Sequence, residues 1–407
     1  MITKSMLWTT LSRIVCLLLT FACSVAIARF LGPEKQGGYI VIITLVASIV
    51  QFANLGMSSS VMYQLASNAT LLSPLLANTV WISVVFGGFV GCVAVVACLV
   101  NGWLSEISPW CLWLAAAMVP SRLCFAIGGN LFVGLNNIQR FNLFQVLSNV
   151  LLLCAIFIVG GFNANVGGFL WANCVGWLIA CLALVTVLAR RARGIGWFDL
   201  QLFRDGFLYG GRAYLGCLLS FLLLRANVYL LYYLRGDQET GQYSIALLLI
   251  DALNVFPMSV GLVLFPALVK NQRHGWDMML KSLKVVGCLM FGICCSCVGL
   301  IKPVVQMTFG PEYMPAVTII YWMLPAVFFY GMTSIVSQYL AAKGFPVILV
   351  GIWGGALLVG SCLGYILIQG QGGVGAAAAL SLVHAATFLA VLRLGYVLST
   401  LDPTTNC

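Results

Sequence analysis

The sequence predicts an all-α polytopic membrane protein of about twelve transmembrane helices in two six-helix lobes, with N and C termini cytoplasmic. Three observations carry that prediction. Of 407 residues, 62% are apolar and 7% charged, with a mean hydropathy of +1.05, whereas a soluble domain carries roughly 25% charged residues. The apolar residues gather into twelve runs, each long enough for a hydrocarbon core that takes roughly 20 helical residues to cross. Basic residues are divided unevenly between alternate loops. Together these exclude a soluble globular chain, a disordered one and a collagen-like one, and they leave no length for a separate soluble domain.

A window of about 19 residues places spans at 7–29, 38–60, 78–100, 110–134, 143–162 and 167–189, then at 207–234, 241–268, 283–305, 315–341, 346–368 and 374–397. The first run contains Ala26-Ile27-Ala28, which is like a signal cleavage site, but the run is too long for a signal peptide and reads as a retained helix. Twelve spans put both ends on one side. That side holds most of the loop Lys and Arg, including Lys4, Arg140, Arg190, Arg191, Arg193 and Lys284, against Arg29, Lys35, Arg235 and Lys302 on the other. The positive-inside rule therefore makes it cytoplasmic. As topology anchors beside anionic lipid, the basic clusters are sufficiently explained. The net charge of +10 is thus a matter of topology and does not indicate nucleic acid.

The longest polar interruption runs from Arg190 to Gly206 and separates a lobe over 1–200 from one over 201–407. Internal similarity supports the division. Gly37-Gly38-Tyr39 opens the second span and Gly241-Gln242-Tyr243 the eighth, 204 positions later. Val166-Gly167-Gly168 is echoed by Val374-Gly375-Ala376, and Pro120 by Pro325, at offsets of 208 and 205. Repeats with an even number of spans share orientation, an arrangement that suits a transporter with a path between lobes.

Ionisable residues inside a span cost about 3 kcal/mol on insertion scales and face a protein interior or a water-filled cavity. Arg13, Arg122, Arg212, Arg225 and Asp251 qualify. Arg13 heads a stripe with Thr20 and Ser24 on one helix face, and the second span carries Gln51 and Asn54. Arg122 follows Pro120 near mid-span, too deep to snorkel, on a face of small residues. Arg13, Arg122, Arg212 and Arg225 are the candidate substrate-cavity residues, and Thr20, Ser24, Gln51 and Asn54 the candidate polar wall. Asp251, with Asn254 on the next turn, is either an ion-pair partner for one of the arginines or a coupling-ion site. Four arginines against one acid leave the interior cationic, which suits an anionic substrate, because the guanidinium fork matches phosphate oxygens.

The 16 Cys lie almost wholly in apolar runs, where a thiol acts as a small hydrophobe, and the two His, His274 and His384, complete no metal-ligand spacing with them. No metal, no cofactor and no enzymatic motif are expected.

The run Ala28-Arg29-Phe30-Leu31-Gly32-Pro33-Glu34-Lys35-Gln36-Gly37-Gly38-Tyr39, with Asn54-Leu55-Gly56-Met57-Ser58-Ser59-Ser60 after it, resembles the opening of the Wzx-type polysaccharide flippases, in the superfamily that includes the MATE exporters. Phe309-Gly310-Pro311-Glu312-Tyr313-Met314-Pro315-Ala316 and Val374-Gly375-Ala376-Ala377 resemble it too. The resemblance implies a MATE-like fold and a transporter, not an enzyme. Its substrate would be an undecaprenyl-diphosphate-linked oligosaccharide, such as an O-antigen or capsule repeat unit, moved to the periplasmic leaflet of a bacterial inner membrane through a cationic cavity. Arg13, Arg122 and Arg225 are the positions that match that role. A coupling ion, H+ or Na+, and a polysaccharide polymerase complete the expected partners. The alternative is a MATE-like cation-coupled exporter of small molecules, for which Asp251 would be the cation site. A membrane polymerase or ligase would need a large external loop, and the sequence has none.

Overall fold

Glycine and proline decide where this chain turns. In the computed structural model, which describes residues 2–162, 164–271 and 274–400, the side chains of residues 2–10, 13, 212, 213 and 262 being excepted, ten helices are long and apolar enough to cross a membrane. Two of them, α1 (Ile2–Ala53) and α12 (Val347–Thr400), each break sharply inside, at Gly32 and Gly372. Counting their limbs separately gives twelve crossings, as the hydropathy pattern predicts.

Gly32 adopts φ 70° and ψ 169°, a conformation open essentially to glycine alone. Pro33 then starts the second limb of α1, where its missing N–H costs nothing. Gly236 repeats the geometry, φ 79° and ψ −165°, at the start of the eighth span. The two glycines are 204 positions apart, the same offset as the repeat read from the sequence.

The chain divides into two compact units, Met1–Tyr214 and Leu215–Cys407. In the first, α1 is followed by a short helix α2 (Met57–Ser67) and then by α3 (Leu72–Trp81), a π-turn over Ile82–Gly87 and α4 (Gly88–Asn101), which together make the third span. Then come α5 (Pro109–Gly134), α6 (Ile138–Phe162) and α7 (Val166–Ala192). α5 is the central element, with sixteen of its 26 residues buried.

Two boundaries differ from the sequence reading. The second span ends at Ala53, because Leu55 and Gly56 take positive φ and Asn54 caps the new helix, its amide bonded to Ser58 Oγ (2.7 Å) and Ser58 N–H (3.2 Å). α2 then buries Met57, Val61 and Leu65, four residues apart on one face, against the core of the unit. The third span begins at Leu72, earlier than 78.

The division between units falls inside α8 (Leu200–Arg235), so the polar linker before it belongs to the first unit. Asn78 binds it there: its Nδ2 donates to Asp199 O (2.8 Å) while its Oδ1 accepts from Asp199 N–H (2.7 Å).

The second unit holds the rest of α8, α9 (Asp237–Lys270), α10 (Gly275–Thr308), α11 (Pro315–Ala342) and both limbs of α12. Its breaks are held by side chains. Arg235 Nε and Nη2 donate to the carbonyls of Ile368 and Gln369 (3.1 and 2.7 Å), and Gly373 N–H donates to Glu239 Oε2 (2.8 Å). One residue thus serves the carbonyl end, and the other the amide end, of the Gly372 break. In α11, Pro325 disturbs the ladder, and Ser381 Oγ enters it, accepting from Ala326 N–H (3.1 Å) and donating to Trp322 O (2.6 Å). Between α10 and α11, Tyr313 is 1% exposed, and burial together with Glu312 pushes its phenol above the usual range.

Candidate functional site

The break at Gly32 returns the chain on itself, so both limbs of α1 face α5, α6 and α7 across a cavity of about 410 Å3. The first limb contributes Cys16, Thr20, Cys23 and Ser24, the second Gln36 and Tyr39, α5 contributes Arg122, α6 Gln145, Ser148 and Asn149, and α7 Asn173 and Trp177. These polar groups sit within long apolar helices, so their atoms turn to one another.

Arg122 is the centre of the arrangement. Its Nη2 donates to Asn173 Oδ1 at 2.9 Å, and Asn173 Nδ2 donates to the Tyr39 hydroxyl at 2.7 Å and to Phe169 O at 3.3 Å. The chain of bonds fixes the Asn173 amide with its oxygen towards the cation. Trp177 lies with its ring centroid 5.1 Å from the guanidinium carbon, a cation–π contact, and Phe125 holds that ring edge-on at 5.2 Å. No carboxylate is bonded to Arg122 among the described residues, where the one ion pair joins other partners. Arg122 Nε and Trp177 Nε1 are buried without hydrogen-bond partners. Both orphaned atoms are donors, so the group that would relieve their cost is an acceptor, and the net charge asks for an anion.

On the opposite wall Thr20 Oγ1 donates to Asn149 Oδ1 (3.1 Å), and Ser24 Oγ to Thr20 O (3.0 Å). Hydroxyl and amide groups of this kind suit neutral polar groups such as sugar hydroxyls.

Of the positions singled out in the sequence, Arg122, Thr20 and Ser24 meet in this cavity. Gln51 and Asn54 stand outside it: Asn54 is used in the cap of α2, and the Gln51 and Phe52 carbonyls accept from Tyr214 OH, the latter at 2.8 Å. The side chains of Arg13 and Arg212 lie outside the described residues. Tyr39, Asn173, Trp177 and Asn149 are additions. The repeated Gly-x-Tyr marks Tyr39 and Tyr243, and Asn149 and Asn173 are lone amides in apolar spans, but nothing in the sequence aims them at Arg122.

The remaining two charges meet in the second unit. Arg225 Nη2 donates to Asp251 Oδ2 at 2.7 Å, with the aspartate side chain 48% exposed and the arginine 20%. One turn on, Asn254 is 2% exposed with neither amide atom bonded. His384 is fully buried, with no hydrogen bond at either ring nitrogen, against the Tyr330 ring at 5.2 Å. Among the described residues no cluster of His, Cys, Asp or Glu could hold a metal ion.

A family profile described as "Polysaccharide biosynthesis protein" matches residues 2–272. The chain belongs to that family. This polysaccharide biosynthesis family member has the fold of several solved transporters. It aligns with the lipid II flippase MurJ in an inward closed conformation at TM-score 0.74 and 14% identity, over 98% of this chain and 89% of that one. An inward-facing multidrug resistance MATE family transporter of the MOP superfamily aligns at 0.72 and 12%, over 95% and 96%. A MOP superfamily transporter from Pyrococcus furiosus, described by a binding pocket of reversed polarity, aligns at 0.69 and 13%, over 97% and 96%. No curated protein sequence matches. The family member is therefore a multi-pass membrane protein with a MATE- and MurJ-like transporter fold.

Proposed function

We propose that the chain is a Wzx-type flippase, moving an undecaprenyl-diphosphate-linked oligosaccharide of the O-antigen or capsule type from the cytoplasmic to the periplasmic leaflet of a bacterial inner membrane by alternating access. The observation that carries the reading is Arg122: a guanidinium in a polar cavity with an amide and an indole as neighbours and no carboxylate among its bonded partners. Such a group favours a diphosphate over the organic cations that a drug exporter takes. Thr20, Ser24 and Asn149 supply hydrogen-bonding groups for sugars across the same space. The family membership and the likeness to a lipid II flippase support the substrate class.

Asp251 is the coupling group in this reading. Protonation, or capture of Na+, withdraws its charge from Arg225 and frees that cation, so ion binding and the state of the second unit are linked.

The test is flux in proteoliposomes containing the full chain and a fluorescent polyprenyl-diphosphate oligosaccharide. Protein-dependent loss of accessibility to an external quencher supports the reading. Undiminished accessibility, in vesicles where the same protein moves a cationic dye, overturns it.

A further inference from the structure

A second cavity in the first unit, about 460 Å3, has a different chemistry. It is lined by Trp81, Val85, Phe86, Phe198 and Phe203 with Leu55 and Ile82, all apolar. Trp81, Val85 and Phe198 are each more than 40% exposed. The π-turn over Ile82–Gly87 makes this hollow in the third span, since one extra residue per turn shifts Val85 and Phe86 away from regular helical packing. Its other wall is the linker after α7. Arg193 turns the chain there at φ 59°, Ser73 Oγ bonds Gly194 O (3.3 Å), Asn78 clasps Asp199, and Gln64 Nε2 donates to Leu202 O (3.1 Å). The wall is thus fixed to α2 and α3 by side chains at three points along it.

Exposed arginines flank both ends of that linker: Arg190, Arg191 and Arg193 before it and Arg204 after it, adjoining Phe203. None of the four is in an ion pair among the described residues. An apolar hollow with exposed lining side chains, in a segment flanked along the chain by four exposed arginines, has the two-part chemistry of a phospholipid with an anionic head group. The volume lies within the range of about 300–1,000 Å3 usual for small-ligand sites. The sequence alone explains these arginines as topology anchors. The hollow beside them adds a place for a chain.

We propose that this hollow is a binding site for an anionic phospholipid of the surrounding leaflet, one acyl chain between Trp81 and Phe203 and the phosphate on Arg193 and Arg204. The site stands apart from the Arg122 cavity and does not depend on what the protein transports.

The experiment uses the full-length chain in mild detergent with phosphatidylglycerol or phosphatidylcholine carrying brominated acyl chains. The Trp81 signal is the difference between wild type and Trp81→Phe. Brominated phosphatidylglycerol should quench it at a several-fold lower mole fraction than the phosphatidylcholine. Val85→Phe, which fills the hollow, should weaken quenching by both lipids. Arg193→Gln with Arg204→Gln should bring the two lipids level. High salt should do the same to the wild-type chain, since exposed charges are screened, and this arm requires no variant beyond the Trp81→Phe reference. Equal quenching of wild type by both lipids, or a preference that survives salt and the paired arginine substitutions, overturns the proposal.

Discussion

Replacing Arg122 by methionine should separate transport from stability. The substitution keeps an unbranched chain against Trp177 and removes the charge, the fork and the bond to Asn173. For folding, two effects oppose. Asn173 Oδ1 loses its donor, at about 1–3 kcal/mol for a buried group left unmet. Against that, an orphaned Nε and a cation without a carboxylate disappear, a relief of the same order. The net change is close to zero, and the melting temperature should move by no more than about 4 °C. For transport nothing offsets the loss. A charge-assisted bond to a phosphate oxygen is worth about 1.5–3 kcal/mol, so affinity for the diphosphate should fall about 10- to 150-fold. Arg122→Lys keeps the charge without the fork and should fall between the two. The assay is vesicle flux against substrate concentration beside thermal unfolding of the same preparations. Wild-type flux in Arg122→Met, or a loss of flux that tracks a loss of folded protein, would refute the argument.

The paired charges Arg225 and Asp251 offer a second test: if Asp251 is the coupling group, Asp251→Asn should abolish ion-driven flux, and adding Arg225→Gln should not restore it. Recovery in the double variant would make the pair structural. Ser381→Ala leaves Ala326 N–H and Trp322 O to each other across the Pro325 distortion, and should cost about 1–3 kcal/mol of stability, read as a lower unfolding temperature with transport per folded molecule unchanged. His384→Phe should leave folding unharmed, since neither ring nitrogen has a partner to lose and the ring contact with Tyr330 persists. A collapse of transport in that well-folded variant would give the imidazole a role beyond packing.

The fold was legible because lipid reduces the problem to length and hydropathy: all twelve crossings fall where apolar runs of sufficient length occur. The elements that escaped are those too short for a span-length window. α2, at 11 residues, was absorbed into the tail of the second span, although the four-residue spacing of Met57, Val61 and Leu65 marks an amphipathic helix once the Asn54–Gly56 break is allowed. The π-turn leaves no mark, because an extra residue in a helical turn changes register and not composition. In the site, charge was readable and partnership was not. A lone arginine at mid-span declares itself by its cost. Which amide turns towards it depends on how α1, α5 and α7 pack, and no spacing within one helix encodes that. The same holds for Asp251, whose choice of Arg225 over three other arginines is a fact of tertiary structure.

The Ser381 bridge has a bearing on how the chain is made. α11 emerges from the ribosome with Ala326 N–H and Trp322 O already forced apart at Pro325, while the hydroxyl that joins them lies more than fifty residues downstream. Asn227 Nδ2 likewise waits for Ala376 O (3.0 Å), and Arg235 for the carbonyls of Ile368 and Gln369. Until the last helix arrives, the second half of the protein sits in the bilayer with open backbone and side-chain groups that only water or the insertion machinery can meet. Synthesis of this half is therefore completed, in the energetic sense, by its final segment, and a nascent chain stalled before Ala376 presents the cell with a recognisably unfinished product.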